Sequence, residues 1–151
     1  SVSGIWIESA NASQNCSFDT PLPIPDLGST ASDITEFTTG PITRTNVTLW
    51  ITHTWVEALT VTLTHVDTGT VLTLITPRCP GGDDLYLELA DDAGQPLACR
   101  SGVPVLFGRA RPDSPLAAFS GEDRSGTWRL TVNDNGGSES GTLQNWCVAF
   151  K

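Results

Sequence analysis

The chain contains no methionine, almost no lysine and only two histidines. Acidic residues outnumber basic ones, seventeen against eight, so the net charge is −9 and the pI is about 4.4. Nucleic-acid binding draws its affinity from Lys and Arg that displace counterions, which argues against a nucleic-acid partner. An anionic membrane surface is disfavoured for the same reason. No apolar run approaches the roughly 20 residues that cross a bilayer, so no membrane span is expected. No useful stretch carries helical periodicity. The four cysteines, Cys16, Cys79, Cys99 and Cys147, lack CxxC spacing and paired histidines nearby, which argues against zinc and for disulfides. Disulfides place the protein in an oxidising compartment, and a chain starting at Ser1 without methionine reads as part of a longer secreted precursor.

What remains is rich in Thr, Gly, Pro, Asp and Ser, a composition that favours strands joined by turns. At 151 residues and 38% hydrophobic content the chain fits one folded domain. Residues 1–30 read as an extended leading segment: after Ile5-Trp6-Ile7 come Pro21, Pro23 and Pro25, which bar a central strand. Residues 31–150 read as the core sandwich. In "NVTLWITHTWV", Val47, Leu49, Ile51, His53 and Trp55 share one face and threonines take most of the other. "LTVTLTH" repeats this rhythm, Asp67-Thr68-Gly69 turns the chain, and "TVLTLI" completes a hairpin. Leu85, Leu87 and Leu89 point inward from the next strand. Residues 100–115, rich in Pro, Gly and Arg, read as a long surface connection. Trp128, Leu130 and Val132 line a further strand, "NDNGGSES" reads as a hairpin turn, and a last strand carries Trp146, Val148 and Phe150. Leu143 is out of phase with these three, which predicts a β-bulge near Gln144-Asn145. Seven to nine such strands indicate an all-β fold, an antiparallel jelly-roll-like β-sandwich.

Four separated motifs now stand in order: "ITHTW", "PLAAFSGE", "GTWRLTV" and "GTLQNW". Together with "GGDDLYLELADDAG" they resemble the P domain, or Homo B domain, over about residues 30–150. The resemblance implies a jelly-roll-like sandwich beside a subtilisin-like serine protease domain, as in kexin- and furin-type convertases and secreted bacterial proteases. In that setting the P domain packs on the catalytic domain in cis and supports its folding and stability. It also implies bound calcium (Ca2+). One departure stands out: the family has Gly-Asp before the second strand, and this chain has Glu57-Ala58.

Neither histidine makes a catalytic triad. His53 reads as a core histidine bonded to a neighbour, His65 as a surface residue at a strand end, and Ser120 and Ser125 lack a nucleophile-elbow pattern. The chain is therefore expected not to be an enzyme. Calcium takes six to eight oxygens, and acidic pairs flanked by glycine suit it. Asp83 and Asp84 with a neighbouring loop form one candidate set. Asp91, Asp92 and Glu122 form another, with Asp123 beside it. Three disulfide connectivities are open, and the one pairing Cys79 with Cys99 and Cys16 with Cys147 is preferred, since the first pair brackets the acidic loops. Trp55, Trp128 and Trp146 read as core, whereas Trp50 lies on the threonine face as a candidate interaction residue. Asn11, Asn15 and Asn46 head glycosylation sequons. The alternative to a docking domain is a secreted binding module for protein or carbohydrate, working through exposed loops and Trp50.

Overall fold

A computed structural model describes residues 13–151 of the protein. The Ile5-Trp6-Ile7 segment and the Asn11 sequon lie outside the described residues. Ten strands follow: β1 (Ser13–Cys16), β2 (Leu22–Ile24), β3 (Ser29–Glu36), β4 (Thr45–His53), β5 (Leu59–His65), β6 (Thr70–Ile75), β7 (Leu85–Leu89), β8 (Leu106–Ala110), β9 (Gly126–Asp134) and β10 (Gly141–Phe150). They form a six-stranded sheet in the order β1-β10-β4-β7-β8, with β2 also on β10, and a four-stranded sheet in the order β3-β9-β5-β6. The result is the expected all-β sandwich. No helix among the described residues is long and apolar enough to cross a membrane.

The alternation read from sequence is what places each strand. Leu59, Val61 and Leu63 are buried while Thr60, Thr62 and Thr64 lie on the outer face of the small sheet. Val47, Leu49 and Ile51 fill the core from β4, and Leu85, Leu87 and Leu89 from β7. Each such side chain contributes about 1.5–3 kcal/mol by leaving water. Trp128 sits at the centre, edge-on to Phe119 with centroids 4.9 Å apart and 4.8 Å from Phe150 of the facing sheet. The slip in β10 is real: Leu143 opposes Ile51 and Asn145 opposes Trp50, so one extra residue bulges between them.

Several expectations need correction. Residues 100–115 are not only a surface connection, because Leu106–Ala110 pair in parallel with Leu85–Leu89. The glycine and arginine there mask a strand whose two ends, Leu106 and Ala110, are buried. "NDNGGSES" is not a hairpin turn: β9 and β10 lie in different sheets, and the loop carries the chain across the sandwich. The described part of the leading segment is not outside the sandwich either. Strand β1 pairs with β10 from Ser13 to Cys16, and β2 pairs at Leu22–Ile24. Its prolines fit because β2 is a three-residue edge strand. Trp55 leaves the core face, since β4 ends at His53 and the tryptophan is half-buried before a 3-10 turn at Val56–Ala58.

Strand β3 carries buried polar residues, Ser32 and Glu36, beside Ile34. The Ser32 hydroxyl donates to Asp19 at 2.5 Å and accepts from the Trp146 indole at 2.7 Å, a bond that spans the core from one sheet to the other. Glu36 accepts from the Asn15 side chain and from the Thr38 backbone N–H. Both disulfides pair as preferred. Cys16–Cys147 joins directly opposed residues of β1 and β10, and Cys79–Cys99 staples the loops that precede β7 and β8.

Candidate functional site

The histidine of "ITHTW" and the last residue of β9 meet in the interior. The His53 ring lies 2.8 Å from an Asp134 carboxylate oxygen, both side chains fully buried. The Trp55 backbone N–H donates to His53 Nδ1 at 2.9 Å. That nitrogen must therefore be unprotonated, and Nε2–H donates to Asp134. The second Asp134 oxygen accepts from the Gly136 N–H at 3.0 Å. All partners are thus spent on backbone and on each other. Gly141 of "GTL" is required beside this pair: a Cβ there would stand 2.2 Å from the Thr52 carbonyl oxygen and 2.7 Å from His53 Cδ2.

His65 is a second buried histidine, not the surface residue expected from its place at a strand end. Its ring stacks on Trp128 with centroids 3.9 Å apart and planes 6° from parallel. Nδ1 faces Glu122 at 2.8 Å and Nε2 faces the Ser125 carbonyl at 3.0 Å. Both partners are acceptors when Glu122 is ionised, so the ring satisfies both only as a double donor. Burial pushes the Glu122 carboxyl up, but hydrogen bonds from Thr70, His65 and Thr68 outweigh it and hold the group below the ordinary 4.5. A depressed carboxyl contributes stability that is full above its unfolded value and lost as pH falls through the folded one. Glu122→Gln is therefore expected to lower the melting midpoint at neutral pH and to flatten its decline below about pH 4.5. Equal acid slopes for the two proteins, in melts across that range, would remove Glu122 from the acid response.

Among the described residues neither imidazole meets a serine hydroxyl. The Ser125 hydroxyl donates instead to Asp123 at 2.7 Å, and the Ser125 N–H joins it at 2.9 Å. These bonds, the backbone one foremost, hold the Asp123 carboxyl below its usual range.

The six carboxylates expected to hold calcium are not brought together. Among the described residues no three His, Cys, Asp or Glu side chains group to hold a metal ion. Asp91 accepts from the Leu116 and Ala117 N–H groups, 2.8 Å each, and so pins the 3-10 turn of "PLAAF". Asp92 takes Arg109 on one oxygen at 2.7 Å and Arg44 on the other at 3.0 Å. The Arg109 hydrogen bond chiefly holds its carboxyl down. Asp84 accepts from the His53 N–H at 2.9 Å. The Asp83 carbonyl oxygen accepts from Val105 at 2.9 Å. Glu122 and Asp123 are committed to His65 and Ser125 as described. Asp84, Asp91, Asp92, Glu122 and Asp123 thus each bond a separate stretch of backbone or side chain.

The exposed feature lies elsewhere. Trp50 faces Tyr86 across β4 and β7, and Tyr86 faces Phe107 across β7 and β8. The three rings stand on the outer face of the large sheet, 41%, 46% and 54% exposed. Their centroids are 5.8 and 6.4 Å apart, and the Arg100 guanidinium sits 4.9 Å from the Phe107 ring. Only Trp50 was legible in sequence. Tyr86 and Phe107 become its neighbours through the strand register, and Phe107 lay in the segment read as a loop.

Fold and polar centres together define a disulfide-pinned β-sandwich whose buried histidines support structure. A family model for the proprotein convertase P-domain matches residues 101–150. The serine protease of Aeromonas sobria, solved in complex with the chaperone ORF2, is similar over 92% of this chain at 18% identity and a TM-score of 0.61. A second structure of that protease gives 16% identity and a TM-score of 0.57 over the same share. The chain spans 26% of the length of either protease chain. No curated protein matches it. The likeness to the proprotein convertase P-domain thus holds by sequence through β8–β10, and the fold across the sandwich is shared with part of a serine protease.

Proposed function

We propose that the chain is a non-catalytic P domain of a secreted subtilisin-like serine protease, packing on the catalytic domain in cis and stabilising it. The observation that carries this is the coincidence of the P-domain match with a likeness taking in nearly all of this chain but only about a quarter of a serine protease. Two disulfides suit an oxidising, extracellular setting. Both imidazoles are occupied by acceptors and backbone donors, which supports a structural part over a hydrolytic one. Calcium, implied by the resemblance, would be taken by the loop carboxylates Asp83, Asp84, Asp91, Asp92, Glu122 and Asp123 together with further oxygens.

The test compares the natural full-length protein with a version lacking residues 13–151, by calorimetry and by yield of active protease, in calcium and in EGTA. Removal is expected to lower both the midpoint of the catalytic domain and the yield. Unchanged values would end the stabilising role, and a full-length chain without a protease domain would end the whole reading. Within residues 13–151, a midpoint lower in EGTA than in calcium would support a bound ion, and an unchanged one would remove it, because a site that binds only the folded state must raise the midpoint.

A further inference from the structure

The aromatic row of the large sheet is too small to serve as the core of a domain interface. Three rings about half exposed present on the order of 100 Å2 each, against roughly 800 Å2 that one partner contributes to a stable interface. The face around them is polar. Thr48, Glu88 and Arg109 form the next row across β4, β7 and β8. Beyond Trp50 on the other side, Gln144 donates to Thr52 at 2.9 Å. A groove of about 290 Å3 runs beside Tyr86 and Phe107, lined also by Thr48, Glu88 and Arg109. An apolar floor with hydroxyl, amide and charged groups at its rim matches a molecule whose ring faces carry C–H bonds and whose edges carry hydroxyls.

Charge narrows the class. Arg109 bonds Asp92 and lies 3.7 Å from Glu88, and Arg44 takes the other Asp92 oxygen, so these charges are paired within the protein, while Arg100 lies over Phe107 and bonds the Pro104 carbonyl. The whole chain carries −9, which repels anionic polymers. The planes of successive rings are inclined by 39° and 49°. Rings inclined in this way cannot all lie against one flat surface, but they follow a twisting chain. We propose that Trp50, Tyr86 and Phe107 form a platform for a soluble, neutral glycan chain, one sugar ring over each aromatic ring, with Arg100 closing the end beside Phe107. This goes beyond docking on a protease and does not depend on it.

The probe is native affinity electrophoresis of the domain in gels containing hydroxyethylcellulose, xyloglucan, galactomannan or soluble starch, followed by tryptophan-fluorescence titration with the matching hexasaccharide. Retardation is expected with at least one glycan and should persist in high salt, since no charge pairing is involved. Trp50→Ala and Tyr86→Ala are each expected to weaken binding about five- to tenfold, the size of one ring contact. Their melting midpoints should stay at the wild-type value, and Val71→Ala on the opposite sheet should bind normally. No retardation in any gel would overturn the proposal, as would salt-sensitive retardation or full retention by both ring variants. It is equally overturned if Trp50→Ala fails to alter glycan binding but loosens the catalytic domain in the full-length protein, which would make the row a docking surface.

Discussion

Replacing Asp134 with alanine is expected to lower the melting midpoint by roughly 10 °C. Removing one member of a fully buried polar pair typically costs about 3–5 kcal/mol, and each kcal/mol is worth about 2–4 °C in a domain of this size. The reason lies in what is left behind. His53 Nε2–H and the Gly136 N–H both lose their acceptor in a region that water does not reach, and an unmet buried donor carries its full desolvation penalty. Asp134→Asn keeps an acceptor for one donor but turns an amide toward the other, so an intermediate loss is expected. In the double variant His53→Ala/Asp134→Ala the losses should fall well short of additive, because each single change already strands the other partner. A melt of Asp134→Ala within about 2 °C of wild type would show that the pair is not structural.

The second large effect concerns the disulfides, and here the two are expected to differ. Cys16–Cys147 closes a sequence separation of 131 residues, and Cys79–Cys99 one of 20. In the chain-entropy model these correspond to about 5 and about 3 kcal/mol. Cys16→Ser/Cys147→Ser should therefore lose more stability in urea titration than Cys79→Ser/Cys99→Ser. The difference is reinforced locally: β1 is only four residues long, and apart from its ladder with β10 it is held by the Asn15–Glu36 bond to β3. If the Cys79–Cys99 double variant proved the weaker protein, constraint on the unfolded chain would not be the main contribution. The staple between the β7 and β8 loops would then hold native packing directly.

How far the sequence could be read follows from what each signal encodes. Alternation gave the burial of β4, β5, β7 and β9, because the inward positions there are Leu, Val, Ile and Trp. It failed for β3, where Ser32 and Glu36 are buried through bonds to residues far along the chain. It failed for β8, where Gly108 and Arg109 fill the middle of a strand. The bulge at Gln144 was visible because a one-residue slip moves every later side chain to the other face. Partner choice was not visible, since a two-residue period says which face is buried but not which strand lies alongside. That is why β9 and β10 read as a hairpin although they serve different sheets. The local roles of the acidic pairs were hidden for a related reason. A carboxylate that holds a backbone N–H and one that holds an ion look alike in sequence, and only the fold shows that Asp91 is committed to the N–H groups of Leu116 and Ala117. The aromatic row needed both sheet order and register before three separate residues became one surface.

The position of β9 and β10 has a consequence for the order of events at synthesis. Strand β10 lies between β4 and the pair β1 and β2, and β9 lies between β3 and β5. Strands β1, β2 and β3 pair only with these two late strands, whereas β4 can already pair with β7 and β5 with β6. A ribosome therefore releases β1, β2 and β3 well before the strands they pair with. Contacts between distant parts of a chain form slowly, and edges left open in the meantime invite association with other chains. Truncation before Gly141 would remove the strand between β4 and the pair β1 and β2, and leave β1 and β2 with no strand to pair against.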